Sequence, residues 1–497
     1  MTFAQLGLAA LLGYLALLAG VAEVARRARR DASPSDHFLA SRGLGTAVLF
    51  LTLYATAYSG NSLLGYPGEA YRRGFSFVMA TGFMLAIVVV YQLLVPRLYP
   101  LSRAEGFVTP GDYLRHRFAG EPGGTGLRLL VALLMSVALA NFLLAQLTAM
   151  GLVTSQVTGG MVPYWAGVGG LAALILLYES VGGMRAVAWT DAGQGVLMLA
   201  GLSALLLWLV RDAGGLAAVT EAIAAVRPEA VAVPPRREQV NWASALVLLG
   251  VASVVYPQAI QRVFAARSAR ALRRSLALMS FMPLLTTLVV TLIGLAAIPR
   301  LDALGGVAAD TVTPRLLHAW AAEGPGSAAL AVLVFLGALA AIMSTADSVL
   351  LSLGSVLAQD VLGGDRRDPG TTARGKRLAA LSMVVATALA LAPRVSLWRL
   401  IELKMELLIQ CAPAFLLGLH WGGLRARPAL AGALAGSAVA VAGVLLGVTR
   451  PLGIHVGVLG LGLNLVVACA ASALEGRLAP GAGGHRLPRA TAPPRAR

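Results

Sequence analysis

Stretches of about twenty mostly apolar residues recur along this chain from end to end, and that recurrence leaves few folds open. Twenty residues of α-helix rise about 30 Å, the thickness of a bilayer's hydrocarbon core. Thirteen such stretches can be marked, at about 3–22, 46–66, 75–95, 128–155, 161–180, 187–210, 242–262, 275–298, 327–358, 377–393, 396–419, 428–448 and 454–474. Only 13% of the 497 residues are charged, about half the share of a soluble domain. That is too little polar surface to face water, so most of the chain must face lipid or other helices. The 56 glycines fit the same class, because Gly lets membrane helices approach closely. The expected fold class is an all-α integral membrane protein with about 13 transmembrane helices.

A net charge of +17 would suggest nucleic acid as the partner of a soluble protein. Here the Arg residues cluster in short loops between apolar segments, so the expected partner is the lipid bilayer and not nucleic acid. With the N-terminus outside, 28 of the 40 Lys and Arg fall in cytoplasmic segments, which the positive-inside rule favours. The expected location is a bacterial inner membrane, with the C-terminus cytoplasmic. The stretch 3–21 lacks the basic leader of a signal peptide; its Arg26, Arg27, Arg29 and Arg30 follow it. Cys411 and Cys469 lie in apolar segments and read as small hydrophobes. No phosphate-binding loop, nucleophile elbow or HExxH pair occurs, so an enzyme is not expected. Between Arg211 and Gln239 lies an outer insertion whose AAVTEAIAAV stretch suits a short surface helix, ended by Pro234-Pro235.

Two spans read as broken. The second, TLYATAYSGNSLLGYPG, carries Ser59-Gly60-Asn61-Ser62 at mid-depth, with Pro67 and Gly68 beyond. The seventh, LVLLGVASVVYPQAIQR, has Gly250 and Ser253 ahead of Pro257. In lipid, irregular backbone is tolerated only where it lines a cavity, and matched interruptions in two inverted halves mark the binding site of a transporter. In the ninth span Ser344, Thr345 and Ser348 share one helical face, with Asp347 among them. Those oxygens suit a hard cation, but equally a hydroxyl bonding back to its own helix. The eleventh span holds Arg399, Glu402, Lys404 and Glu406. If hydrocarbon began only after Glu406, about 22 Å of helix would remain before His420, too short for a core of about 30 Å. Some of those charges are expected to be immersed.

Six motifs in order resemble the sodium/solute symporter family, from about Ser35 to Arg427. They are SDHFLASRGLG, SGNSLLGYPGEAYRRG, GGMRAVAWTDAGQGVLM, YPQAIQRVFAARS, ALAAIMSTADSVLLSLGSVLAQD and CAPAFLLGLHWGGLRARPALAG. The resemblance implies a LeuT-type core of 5+5 inverted repeats. It divides the chain into a peripheral first helix with a basic loop (1–30), a first five-helix repeat (31–210), an outer loop (211–240), a second repeat (241–420), two peripheral helices (421–475) and a disordered cytoplasmic tail (476–497). It implies sodium-coupled symport of a small organic solute by alternating access, by a protein that works as a monomer. The implied sodium ligands are the carbonyls of Ala55, Tyr58 and Ala341 and the hydroxyls of Ser344 and Thr345, with Asp191 in support. Candidate solute contacts between spans 2, 4, 7 and 11 are Ser62, Asn141, Tyr256, Gln258 and Glu402. Some members carry an acid where this chain has Ala57, so proton coupling stays open, as does a transporter-like membrane sensor working with a separate signalling partner. The solute is not readable: Lys404 suits an anion, Glu402 a cationic or hydroxylated solute, and the two conflict.

Overall fold

The computed structural model describes residues 2–27, 34–392 and 395–478. They form a bundle of helices, with no β-strand among them and a single isolated parallel bridge between Leu44 and Ala266. In chain order the helices are α1 (Phe3–Arg27), α2 (Pro34–Leu39), α3 (Thr46–Ala57), α4 (Tyr66–Arg73), α5 (Met79–Glu105), α6 (Pro110–Arg117), α7 (Gly124–Val157), α8 (Tyr164–Asp212), α9 (Leu216–Val226) and α10 (Arg236–Ser253). They continue with α11 (Pro257–Ala265), α12 (Ala269–Met279), α13 (Leu288–Ala296), α14 (Val312–Ala321), α15 (Pro325–Ser355), α16 (Pro369–Ala390), α17 (Leu397–Leu408), α18 (Ala412–His420), α19 (Ala426–Leu445) and α20 (Val456–Leu478).

By length and composition, seven of the described helices can cross a membrane, or eight when the bent pair α10–α11 counts as one span. The thirteen expected spans therefore exceed what helix length alone supports. The reason is physical. The first break ends α3 after 12 residues, a 3-10 turn at Ile409–Cys411 divides the eleventh span into α17 and α18, of 12 and 9 residues, and the first turns of α16 carry Arg374, Lys376 and Arg377. The fifth and sixth candidates run together as α8, interrupted only at Gly183, whose φ of 57° and ψ of −158° are not helical. A side chain there would also collide with His37, whose backbone oxygen would lie 2.7 Å from the added carbon. The surface helix α9 is present but stops at Val226, before Pro228 and short of the expected Pro234-Pro235. The expected disordered tail lies, from residue 479 on, outside the described residues.

Both expected breaks are present. The first follows α3: Tyr58 leaves the helix at φ −107° and ψ 97°, and the chain resumes through a wide π-turn, Asn61–Gly65, into α4. Gly60 sits in the gap because nothing larger fits. A methyl group there would lie 2.6 Å from Ile342 Cγ1 and 2.9 Å from Ala149 Cβ. The second break separates α10 from α11, which are bent 50° apart. Pro257 explains it, because the residue before a proline is pushed out of the helical region; Tyr256 takes φ −59° and ψ 126°.

The two broken segments are clasped at one end. Leu44 N donates to Ala265 O (3.1 Å) and Arg267 N donates to Leu44 O (2.9 Å). Arg42 adds bonds to Phe107 O (2.6 Å) and Phe264 O (3.2 Å). At the other end an aromatic cluster closes the bundle: Tyr66, Phe77 and Phe83 surround Trp398 at the start of α17, with ring centroids 5.1–6.1 Å away. Beside it Asp310, in the segment before α14, accepts a bond from Leu397 N (2.9 Å).

Overpacking a filled site costs about 1–3 kcal/mol. Gly60→Ala is therefore expected to lower the melting temperature measurably by differential scanning fluorimetry in detergent, whereas substitution at Gly13, which has open space around it, is not. Asp310 lies outside the spanning segments. Burial raises its carboxyl from 3.8 to about 7, against the opposing pull of the Leu397 N–H and Arg72 and with a further push from Glu69. The folded carboxyl thus holds its proton more tightly than the unfolded one, so its stabilising contribution is full below its ordinary value and is lost as pH rises through about 7. The difference in melting temperature between wild type and Asp310→Asn is expected to shift against wild type over that range and to level off above it.

Candidate ion and solute site

An interrupted helix leaves backbone groups without helical partners, and in apolar surroundings each must find another. At the first break the Gly60 N–H is taken by Gln146 Oε1 of α7 (3.0 Å), and the Asn61 N–H by Ser59 Oγ (3.2 Å). The Ala55 carbonyl meets α15, where Ser344 Oγ lies 2.9 Å from Ala55 O and 3.1 Å from Ala341 O. Beside it Thr345 Oγ1 is buried and has no hydrogen-bond partner among the described residues. Two carbonyls and two hydroxyls are thus gathered from α3 and α15. This donor set of neutral oxygens fits a hard monovalent cation and not a transition metal. Asp347, also on α15, is fully buried, and neither of its oxygens has a hydrogen-bond partner among the described residues. A proton or a cation has to accompany it.

Next to this junction lies a buried ion pair. Arg262 of α11 and Asp191 of α8 are both 0% exposed, with Nη2 and Oδ2 2.9 Å apart. Arg262 Nε donates to Thr52 Oγ1 (2.9 Å) and Nη1 to Gln258 O (3.1 Å). Thr52 in turn donates to Asp191, and Arg262 Nη2 also reaches Ser348 Oγ. Ser348 donates to Ser344 O (2.6 Å). Four helices, α3, α8, α11 and α15, therefore meet in one polar knot that touches the Ser344 junction.

A cavity opens between the two broken segments, bounded by α5, α7, α12 and α17. Its polar wall includes Thr56, Asn61, Ser62, Tyr256 and Gln258, and its apolar wall Leu53, Met84, Phe142 and Ile401. Among the described residues neither side-chain polar atom of the Asn61 amide, nor Gln258 Oε1, has a hydrogen-bond partner. Lys404 lines the cavity and is 2% exposed. Its Nζ stands 3.1 Å from the centroid of the Phe142 ring and 5.6 Å from that of Tyr256.

The structure brings Ala55, Ala341, Ser344 and Thr345 together, with Tyr58 where α3 ends and Asp191 one layer behind. It puts Ser62, Tyr256 and Gln258 on the cavity wall. Asn141 and Glu402 do not line it. Asn141 borders a separate groove with Val137, Leu407 and Val441. Glu402 is occupied by Trp398 Nε1 (2.8 Å), Arg399 Nη1 (3.1 Å) and the Arg450 guanidinium. Glu406 is likewise satisfied, by His455 Nδ1 (3.0 Å) and the Gly457 N–H. The 28 basic residues assigned to cytoplasmic segments include Arg262, at the end of the seventh span, but the structure buries it in the core. Its one signal was position: five residues past Pro257 and inside the apolar window, ahead of Arg267 and Arg270.

Residues 37–436 match the model of the family described as the sodium:solute symporter family. The sodium/pantothenate symporter of Escherichia coli (strain K12) is 28% identical, over 97% of this chain and 97% of that protein. The osmoregulated proline transporter OpuE of Bacillus subtilis (strain 168) is 25% identical, over 91% and 92%. Among solved structures, a Na+-coupled sialic acid symporter in a substrate-bound outward-open state superposes with a TM-score of 0.76 at 18% identity, over 94% of this chain and 97% of that one. MhsT in complex with L-phenylalanine superposes with a TM-score of 0.57 at 12% identity, over 85% and 98%. These likenesses show the fold, that of LeuT-type transporters.

Leaving a buried charge unpaired costs about 3–5 kcal/mol, whereas replacing both partners by apolar side chains is often neutral. Arg262→Met alone is expected to destabilise the protein by that amount in mixed-micelle unfolding, and the double variant Asp191→Leu/Arg262→Met to recover most of the loss.

Proposed function

The chain belongs to the sodium:solute symporter family, which is made up of membrane transporters and not enzymes, and on that premise we propose how its own residues couple sodium to a small organic solute. Sodium binds where α3 ends against α15, held by the carbonyls of Ala55, Tyr58 and Ala341 and the hydroxyls of Ser344 and Thr345. The observation that carries this is the Ser344 hydroxyl within hydrogen-bond distance of both the Ala55 and Ala341 carbonyls, beside the unpartnered Thr345 hydroxyl. Asp191 supports the site at one remove, since its charge is matched by Arg262. The solute occupies the cavity between the broken segments, with Ser62, Tyr256 and Gln258 among its contacts.

Coupling follows from the shared segment 55–62. A sodium ion that draws the Ala55 and Tyr58 carbonyls toward α15 also fixes the backbone leading to Asn61 and Ser62 on the cavity wall. Each ligand then raises the other's affinity by the same factor. The clasp at Leu44 and Ala266 serves as the cytoplasmic closure, and the cluster around Trp398 as the outer one. The proposed frame has thirteen spans, with the short pieces on either side of each break read together. Residues 31–210 and 241–420 act as the inverted repeats, with the N-terminus outside and the C-terminus in the cytoplasm of a bacterial inner membrane, and the protein works as a monomer. The relatives named for pantothenate and proline suggest the first solutes to try.

The test needs no solute. A ligand that binds only the folded state raises apparent stability by mass action. Purified protein is expected to melt at a higher temperature in sodium chloride than in equimolar potassium chloride, and Ser344→Ala/Thr345→Ala to lose that difference while keeping its melting temperature in potassium. A double variant with the full sodium shift would remove the ion from this site.

A further inference from the structure

The charge on the cavity wall identifies the kind of solute that fits it. We propose that the cavity takes a monocarboxylate and that Lys404 is the cation that holds its carboxylate. This rests on the reading of the cavity as the solute site.

The argument is one of charge balance. Among the described residues two cationic side chains line the cavity, Arg262 and Lys404, and no Asp or Glu does. Arg262 is already neutralised by Asp191 at 2.9 Å. Lys404 is not. Among the described residues no carboxylate lies within ion-pair distance of it and no hydrogen bond is made by its Nζ; its only close partners are two ring faces. A buried ammonium without a counter-charge is costly, and contact with aromatic rings compensates only part of that cost. The acids on the same helix cannot supply the charge, because Glu402 is held by Arg399 and Arg450 and Glu406 is held by His455 and Gly457. The wall thus lacks one negative charge, which a monoanion provides and a neutral or cationic solute does not. A dianion such as a phosphate monoester would leave a charge over.

The remaining wall describes the body of the solute. The unpartnered Asn61 amide and Gln258 carbonyl call for hydroxyl or amide groups to meet them, and Leu53, Met84, Phe142 and Ile401 for a short carbon skeleton. A hydroxylated or amide-bearing monocarboxylate satisfies every group. The conflict between Lys404 and Glu402 is removed as well, since only Lys404 faces the cavity.

The probe is a bacterial metabolite extract separated at neutral pH on a strong anion exchanger, with the retained anions eluted in volatile buffer and dried. The full-length protein is melted with each fraction, in sodium and in potassium. The expected result is a rise of several degrees with the retained fraction in sodium and none with the flow-through, which carries neutral, zwitterionic and cationic solutes. Lys404→Met is expected to lose this response and, without any fraction, to melt above wild type, because it removes an uncompensated charge at similar volume. Lys404→Arg is expected to keep part of the response. Stabilisation by the flow-through alone would overturn the proposal. So would an undiminished response in Lys404→Met, or a Lys404→Met protein less stable than wild type, which would mean that the ammonium is balanced within the fold. An equal response in sodium and potassium would uphold the carboxylate and break the sodium coupling.

Discussion

In an apolar bundle a peptide group without a partner is costlier than almost any side-chain misfit, and the architecture around the first broken segment is organised by that constraint. Where α3 stops at Ala57 the helix gives up its regular hydrogen bonds. The partners that replace them come from neighbouring helices: Gln146 of α7 for the Gly60 N–H and Ser344 of α15 for the Ala55 carbonyl. These substitutes explain why polar residues sit in the middle of otherwise apolar helices. They also explain why the break is an ion site in waiting, since a carbonyl that a hydroxyl can satisfy can equally turn its second lone pair to a cation. Gly60 is the steric condition for this, because side chains of α7 and α15 fill the space that a β-carbon there would need.

Charge is handled by the same logic at longer range. Every acid or base buried near the centre has to be balanced, and the chain balances most of them internally. Asp191 is matched by Arg262, Glu402 by two arginines, and Glu406 by His455 and a backbone N–H. These pairs join helices far apart in sequence and lock their relative positions without a large apolar interface. Against that background Lys404 on the cavity and Asp347 on α15 stand out, since neither has an ion-pair or hydrogen-bond partner among the described residues. In a transporter, unbalanced charge is where the cargo enters the accounting.

Much of the frame could be read from the residues. Apolar length marked the long helices, though not short polar ones such as α2, α6 and α14, and Gly and Pro marked both breaks, since Ser59-Gly60 and Pro257 act through local backbone chemistry. The spacing of Ser344 and Thr345 was equally legible, because each stands one helical turn, four and three residues, before Ser348. What could not be read was partnership. Arg262 stands just before Arg267, Arg270, Arg273 and Arg274, so a local window counts it with the loop, and its partner Asp191 lies 71 residues away. Glu402 and Lys404 point to different sides of one short helix. Which of them faces the cavity depends on how α17 is rotated against α7, and that is set by long-range packing of Trp398 and Phe142. The number of spans fell between the two cases: the segments were visible, but where each is cut into pieces is a tertiary outcome.

The clasp between Leu44 and Ala266 has a further consequence for motion. It joins the residues just before the first broken segment to those just after the second, through two main-chain bonds and the Arg42 bridge to Phe107 and Phe264. A rung of this kind cannot loosen gradually, because sliding by one residue leaves each donor facing no acceptor. Separation at that end is therefore a latch with two positions, shut or released. Because both broken segments hang from it, its release frees the two together.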